Sequence, residues 1–327
     1  MIRTILGDID SSQLGVCYAH EHIIIDDSVA TMRFPDFRLP SVEKGIEELR
    51  RFHSDGGRAM VDSMPCDAGR NVVKLAEISR GSGVHILCPT GIHLAKYYDE
   101  GHWSNHYSVD QLAALFIADI EGGIDRHDYS GPIVERTPHR AGLIKIATKD
   151  IEITARGHRM FEAAAIAHAE TGAPILTHVE AGVGALEQVQ LLSRHGVDLC
   201  HVVLSHTDRN PELSYHRDIL QTGVRLEYDS AFRWKTQENR TLDLLTALID
   251  EFPNQLMLGM DAARPSYWKS YGGSPGLSFL LIEFSQAMTR RGISQEQWNH
   301  IFISNPASAY AFLERSENPA YPILSKS

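Results

Sequence analysis

Eight short apolar or alternating runs, each followed in most cases by a stretch of helical periodicity, predict an α/β fold, a closed parallel (β/α)8 TIM barrel. Length is one support: 327 residues is about twice an ordinary domain, yet barrels of this size run as a single unit. Composition is another, since 43% hydrophobic and 22% charged residues match ordinary globular usage and exclude a disordered or fibrous chain. No Pro/Gly/Ser-rich linker or low-complexity tract divides the chain, and no internal repeat rises above the weak βα period. One domain, 1–327, is expected.

The elements follow in order. A first strand at 16–25 precedes a helix at 41–54, and a second at 58–64 precedes a helix at 71–80. Strand 85–90 leads through a long loop, 91–107, to helix 108–121. Strands 142–148, 174–180 and 202–208 are followed by helices 156–171, 184–195 and 212–221. Strand 225–230 precedes helix 237–251, and strand 256–262 reaches helix 276–291 across a second long connection, 263–275. The tail, 294–312, reads as one or two helices broken near Asn305-Pro306. Long loops on the active face are where substrate contacts usually sit.

Charge narrows the function. With 31 basic against 42 acidic residues the formal charge is −11, a poor match for a phosphate backbone. No apolar run approaches the roughly 20 residues that span a bilayer, and the N-terminus lacks a signal-peptide pattern, so a cytoplasmic protein is expected. The partner expected is a small-molecule substrate, with no nucleic acid and no membrane; a homodimer is left open. Cys17, Cys66, Cys88 and Cys200 are widely spaced without a CxxC and read as buried thiols. Seventeen histidines are many for this length and hint at metal chemistry.

The strongest local signal is Ala19-His20-Glu21-His22 inside the first strand. Residues i and i+2 of a strand point the same way, so both imidazoles project from one face. Alone, this could be a surface His-x-His on an edge strand. Context argues otherwise: Lys145 lies within the fourth strand, His178 near the end of the fifth, His206 near the end of the sixth and Asp261 at the end of the eighth. C-terminal strand ends of a barrel converge on one site. Neutral imidazoles and a carboxylate suit Zn²⁺ or a similar divalent ion such as Mn²⁺ or Co²⁺, without thiolates of a structural zinc site. Burial and nearby cations would leave Lys145 a neutral amine, able to react with CO₂ to give an anionic carbamate that bridges two metals. The other reading is a lysine snorkelling outward to solvent.

Cys17-Tyr-Ala-His-Glu-His22, Gly142-Leu-Ile-Lys-Ile-Ala147, Thr177-His-Val-Glu-Ala-Gly182, Ser205-His-Thr-Asp-Arg-Asn210 and Gly259-Met-Asp-Ala-Ala-Arg264, in this order over nearly the whole chain, resemble the phosphotriesterase-related family of the amidohydrolase superfamily, most of all its lactonase members. The resemblance implies a barrel with a binuclear metal centre at the C-terminal strand ends. One divalent ion would be held by His20, His22 and Asp261 and the other by His178 and His206, with carboxylated Lys145 and a hydroxide as bridges. Some relatives have Glu at the position of Lys145; this chain keeps Lys. Asp261 is then also the catalytic residue, taking a proton from the attacking hydroxide and passing it to the leaving group. Read from sequence alone, Asp261 could instead cap a helix.

Substrate choice belongs to the loops. Arg209 follows His206 by three, Arg233 and Lys235 follow the seventh strand, and Arg264 with Tyr267 follows the eighth. Cations gathered around one mouth of an acidic protein suggest an anionic substrate substituent, although solvated surface charge would look the same. A basic residue after strand seven with Arg264-Pro-Ser-Tyr267 resembles family members that open phosphorylated sugar lactones. The expected activity is therefore hydrolysis of a carbohydrate lactone bearing phosphate or carboxylate. Phosphotriester or amide hydrolysis, and a non-catalytic metal-binding barrel, are the alternatives. His93, His102, His106, Tyr97 and Tyr98 lie in the third loop, either at the substrate or in loop packing; His85, His168, His195 and His201 read as structural.

Overall fold

A computed structural model describes residues 1–234 and 238–314, so Lys235, the start of the helix expected from 237 and the end of the expected domain lie outside the described residues. An antiparallel hairpin, β1 (Ile2–Thr4) with β2 (Gly7–Ile9), precedes the barrel. The barrel strands are β3 (Cys17–Glu21), β4 (Ala59–Asp62), β5 (His85–Leu87), β6 (Pro89–Gly91), β7 (Leu143–Thr148), β8 (Ile175–Val179), β9 (Val202–Ser205), β10 (Arg225–Tyr228) and β11 (Leu256–Leu258). β5 and β6 are the two halves of the third expected strand, interrupted at Cys88. Every neighbouring pair from β3 to β5 and from β6 to β11 is parallel. The ends join where the His20 carbonyl accepts the N–H groups of Met260 and Asp261, both at 3.2 Å. The fold is a (β/α)8 barrel.

Strand alternation divides the apolar residues into two cores. Cys17, Ala19, Val61, Leu87, Leu143, Leu176, Val203 and Met257 fill the barrel with Tyr310. Tyr18, Met60, Ile86, Ile144, Leu204 and Leu226 face outward and pack on helix residues such as Phe52, Phe116 and Phe161. Each fully buried aromatic of that kind contributes about 1.5–3 kcal/mol. The helices are α1 (Val29–Arg33), α2 (Val42–Ser54), α3 (Val72–Ser82), α4 (Val109–Glu121), α5 (Ala155–Thr171), α6 (Ala185–Arg194), α7 (Leu213–Leu220), α8 (Arg240–Leu248), α9 (Ser285–Arg290), α10 (Gln295–Asn299) and α11 (Asn305–Ala309). Ser41, Asn71, Ser108, Thr154 and Asn239 accept the otherwise unpaired N–H groups at helix starts, which is why these helices begin where they do.

Three expectations are corrected. The helix expected over 276–291 begins with a π-turn, Leu280–Phe284, before α9. The tail does not break at Asn305-Pro306: α10, the π-turn His300–Ser304 and α11 run on as one helical stretch, and the missing N–H of Pro306 falls just after the π-turn, where the i→i−4 ladder is already interrupted. Cys200 is exposed rather than buried, because it lies in the 3₁₀ turn Leu199–His201 ahead of β9; all four cysteines are free thiols.

The strand β3 also carries a bulge. Tyr18 pairs with Met60 and Glu21 with Asp62, so β3 spends one residue more than β4 over the same span. A bulge re-aims the side chains beside it, and here it turns His20 toward the barrel mouth.

Candidate metal centre

His20 lies in β3, His22 just after it, Lys145 in β7, His178 in β8, His206 one residue past β9 and Asp261 three past β11. The structure brings the imidazoles into a row: ring centroids are 5.5 Å apart for His22–His20, 4.6 Å for His20–His206 and 4.4 Å for His206–His178. Asp261 Oδ1 lies 3.2 Å from His22 Nε2 and 3.7 Å from His20 Nε2. Donor atoms of His20, His22 and Asp261 all fall within 4.8 Å of one another, as do those of His20, His206, Glu227 and Asp229. His206 and Asp261 hold left-handed backbone, φ 67° and 47°, which non-glycine residues adopt only where the surroundings impose it.

Burial pushes the His20 and His206 rings well below the usual imidazole range and brings His178 to about 4. These rings are therefore neutral near pH 7, the form that binds metal. Each also has its second nitrogen engaged: His20 Nδ1 meets Ser205 Oγ at 2.9 Å, His178 Nε2 meets Glu180 Oε2 at 2.6 Å, and His206 Nδ1 meets Asp229 Oδ2. A ligating histidine commonly has just such a partner for its other ring nitrogen. Arg209 also approaches His206 Nδ1 at 2.9 Å, but a guanidinium only donates; with Asp229 accepting, the proton sits on Nδ1 and Arg209 serves the carboxylates.

Lys145 is fully buried, and its amine has no hydrogen-bond partner among the described residues. Burial brings it from 10.5 to about 7, against the pull of Glu227, Asp261 and Asp229. Both Glu227 oxygens likewise lack a hydrogen-bond partner among the described residues, with His20 Nδ1 3.7 Å from Oε2, and burial beside Asp229 raises that carboxyl well above its usual range. Orphaned polar atoms this deep are costly. With the oriented imidazoles, they are the signature of a cavity shaped for charged occupants, and the donor set fits divalent cations.

Asp261 stays well below the usual carboxylate range: burial opposes its charge, but the His22 hydrogen bond, His206 and Arg233 outweigh it. Arg209 reaches Asp261 Oδ2 at 2.7 Å, and Arg233 reaches it at 3.3 Å while also donating to the backbone oxygens of Asp229, Met260 and Asp261. Glu21, between the two first histidines, accepts from Met260 N and Ala262 N and so fixes the backbone on either side of Asp261.

The row opens into a cavity of about 460 Å³, whose walls include Arg209, Arg233, Arg264 and Tyr267. Arg233 lies over Phe232 at 4.4 Å and 5.8 Å from the Tyr267 ring centre; Arg264 is half-exposed over Phe37 at 5.1 Å. Of the third-loop residues, His93 and Tyr97 reach the cavity wall, Tyr98 is buried with its hydroxyl on the Cys66 carbonyl, and His102 pairs with Asp67. Sequence reasoning missed Ser205, Glu227, Asp229, Glu180 and Lys96. Glu227 and Asp229 had a signal, two carboxylates at i, i+2 ending a strand, the same argument that singled out His20 and His22.

A model of the phosphotriesterase family matches residues 1–310. A phospho-furanose lactonase of Mycoplasmopsis agalactiae is 32% identical over 96% of this chain and 92% of its own. Among solved structures, an amidohydrolase from Mycoplasma synoviae is 30% identical with a TM-score of 0.91, over 96% of this chain and 93% of the other. A lactonase from Listeria monocytogenes is 29% identical with a TM-score of 0.88, over 96% and 99%. Coverage of the whole barrel, with the histidines, lysine and aspartate converging at one end, makes this chain a member of the phosphotriesterase family, a family of binuclear metal hydrolases, and a metal-dependent hydrolase itself.

Proposed function

We propose that the chain is a lactonase that opens a carbohydrate lactone bearing a phosphate or carboxylate group. The observation that carries this reading is a single cavity holding the histidine row, Asp261 and the cations Arg209, Arg233 and Arg264 beside Tyr267. The names of the relatives agree with it.

In this reading His20, His22 and Asp261 would hold one divalent ion and His178 and His206 the other, with Lys145, once carboxylated, able to serve both. Zinc suits the imidazole and carboxylate set, with Mn²⁺ or Co²⁺ as substitutes. Two such ions, when bound, lower the pKa of water and polarise the lactone carbonyl. The amine of Lys145, brought to about 7, has the neutral fraction that reacts with CO₂.

The chain's own residues supply the proton path. Water adds to the carbonyl carbon, and Asp261 Oδ2 receives its proton. The ring C–O bond then breaks, and the same proton passes to the departing alkoxide, giving a hydroxy acid. Arg209 and Arg233 at Oδ2 favour the carboxylate and so speed that second transfer. Arg233, Arg264 and Tyr267 face the anionic substituent: the Arg264 guanidinium binds a pair of its oxygens, the Tyr267 phenol adds a neutral donor, and Arg233, whose terminal nitrogens already donate to Asp229, Met260 and Asp261, adds positive charge.

The free thiols suit a cytoplasmic setting, and the two interleaved cores suit one domain over the barrel. The test compares a phosphorylated sugar lactone, a sugar-acid lactone and an uncharged lactone of equal ring size on wild type and Arg264→Ala. The clamp predicts a wild-type preference for the charged lactones and a loss of kcat/KM confined to them in the variant. A wild type that prefers an uncharged lactone or a neutral phosphotriester overturns the proposal.

A further inference from the structure

The turn after β8 holds a chain of contacts that lactone opening does not use. His178 Nε2 lies 2.6 Å from Glu180 Oε2, and Glu180 Oε1 takes Lys96 Nζ at 2.8 Å. Lys96 comes from the connection after β6, 84 residues away in sequence, and its ammonium lies 5.2 Å from the centre of the Tyr97 ring. His93, from the same connection, packs edge-on against the His178 ring at 4.9 Å and against Tyr97 at 4.5 Å. One connection therefore grips His178 from two sides, through a ring contact and through an ion pair.

The turn itself has little freedom. Ala181 sits at φ 54° and Gly182 at φ 73°, and a Cβ on Gly182 would meet Asn210 N at 2.6 Å. A left-handed alanine is strained and is kept only where neighbours dictate the backbone. Glu180 is thus presented to His178 by a rigid scaffold.

A carboxylate only accepts, so the proton of this pair sits on Nε2 and the lone pair is left on Nδ1. We propose that Glu180 is a positioning residue that sets His178 as the Nε2–H tautomer with Nδ1 free for a metal ion, and that Lys96 links this setting to the seating of residues 93–98. The proposal rests on the reading of His178 as a metal ligand and is independent of the substrate. Linkage is reciprocal: what seats the connection tightens one metal position, and filling that position seats the connection.

The test uses full-length protein with Co²⁺, reading stoichiometry and affinity by chelator competition and the seating of 93–98 by amide hydrogen exchange. Glu180→Ala weakens one of two bound ions by about 10–100-fold and leaves the other unchanged. Lys96→Met weakens the same ion by about 5-fold. The double variant is no weaker than Glu180→Ala alone, since Lys96 acts through Glu180. Added Co²⁺ slows exchange over 93–98 in wild type and less in Lys96→Met. If Glu180→Ala fails to fold, Glu180→Gln, which keeps the volume, is read for the same loss and a changed visible Co²⁺ spectrum.

Two ions bound with wild-type affinity in the Glu180 variant overturn the proposal, including the case where only KM rises, which would assign Glu180 to substrate. A Lys96→Met effect that survives in the double variant overturns the link. Fewer than two ions in wild type overturns the ligand reading itself, and the proposal with it.

Discussion

Replacing Lys145 with methionine should stabilise the metal-free protein. The amine is fully buried and without a hydrogen-bond partner among the described residues, and burial brings it from 10.5 to about 7. At ~1.4 kcal/mol per pH unit that displacement corresponds to about 5 kcal/mol. In the unfolded chain the lysine keeps its proton up to about 10.5, whereas in the folded protein it releases it near 7, so the unfolded state binds more protons throughout that window. Stability therefore rises with pH between 7 and 10.5, and the penalty is full below 7. Lys145→Met removes the titrating group while keeping an apolar stem of similar length. Urea unfolding of chelator-treated protein in CO₂-free buffer should find the variant more stable at pH 7 by several kcal/mol, with the gap falling below about 1 kcal/mol at pH 10. Metal added together with bicarbonate should narrow or reverse the gap, because only wild type can form the carbamate. A variant less stable than wild type at pH 7, with a gap that does not change with pH, would show that the amine has a partner, and the route to a carbamate would fail.

Asp261→Asn is expected to lower kcat by about 10²–10⁴ with little change in KM, since the carboxylate acts on a proton in flight; steady-state kinetics showing a change confined to KM would remove that role. Asp229→Asn should weaken metal binding about 10–100-fold in chelator competition, because an amide that turns its NH₂ toward His206 drives the ring proton to Nε2; an unchanged affinity would contradict the tautomer argument. Arg70 is fully buried between Asp119 at 3.2 Å and Asp128 at 2.6 Å, so Arg70→Met should cost about 3–5 kcal/mol in urea unfolding without altering the number of bound ions. Loss of less than about 1 kcal/mol would mean that the two carboxyls are protonated.

The barrel was legible because its strands follow a strict alternation. Ile144, Lys145 and Ile146 on β7, or Leu176, Thr177 and His178 on β8, assign inside and outside without knowledge of their neighbours. The histidines and Asp261 were legible because each falls at or near a strand end, where a barrel gathers its reactive groups. What escaped depends on partners distant in sequence. The bulge in β3 exists only relative to β4. Arg209 reads as a loop cation, yet its guanidinium is spent on Asp229 and Asp261, 20 and 52 residues onward. The Lys96–Glu180 pair has no local signature at all, being two ordinary charges until the connection after β6 folds over β8.

The junction at His20 has a bearing on how the protein is made. The same residue whose ring enters the histidine row offers its carbonyl to Met260 and Asp261, so the seam that closes the cylinder runs through the reactive centre. Glu21 reinforces the seam from the next position, 239 and 241 residues from its partners. Contacts so remote form late, after most loop-closure entropy has been lost. A growing or truncated chain that stops before residue 260 contains all four histidines of the row but neither the seam partners nor Asp261. Chemical competence and topological completion thus arrive in one step, and a half-made barrel has no means of acting on a substrate.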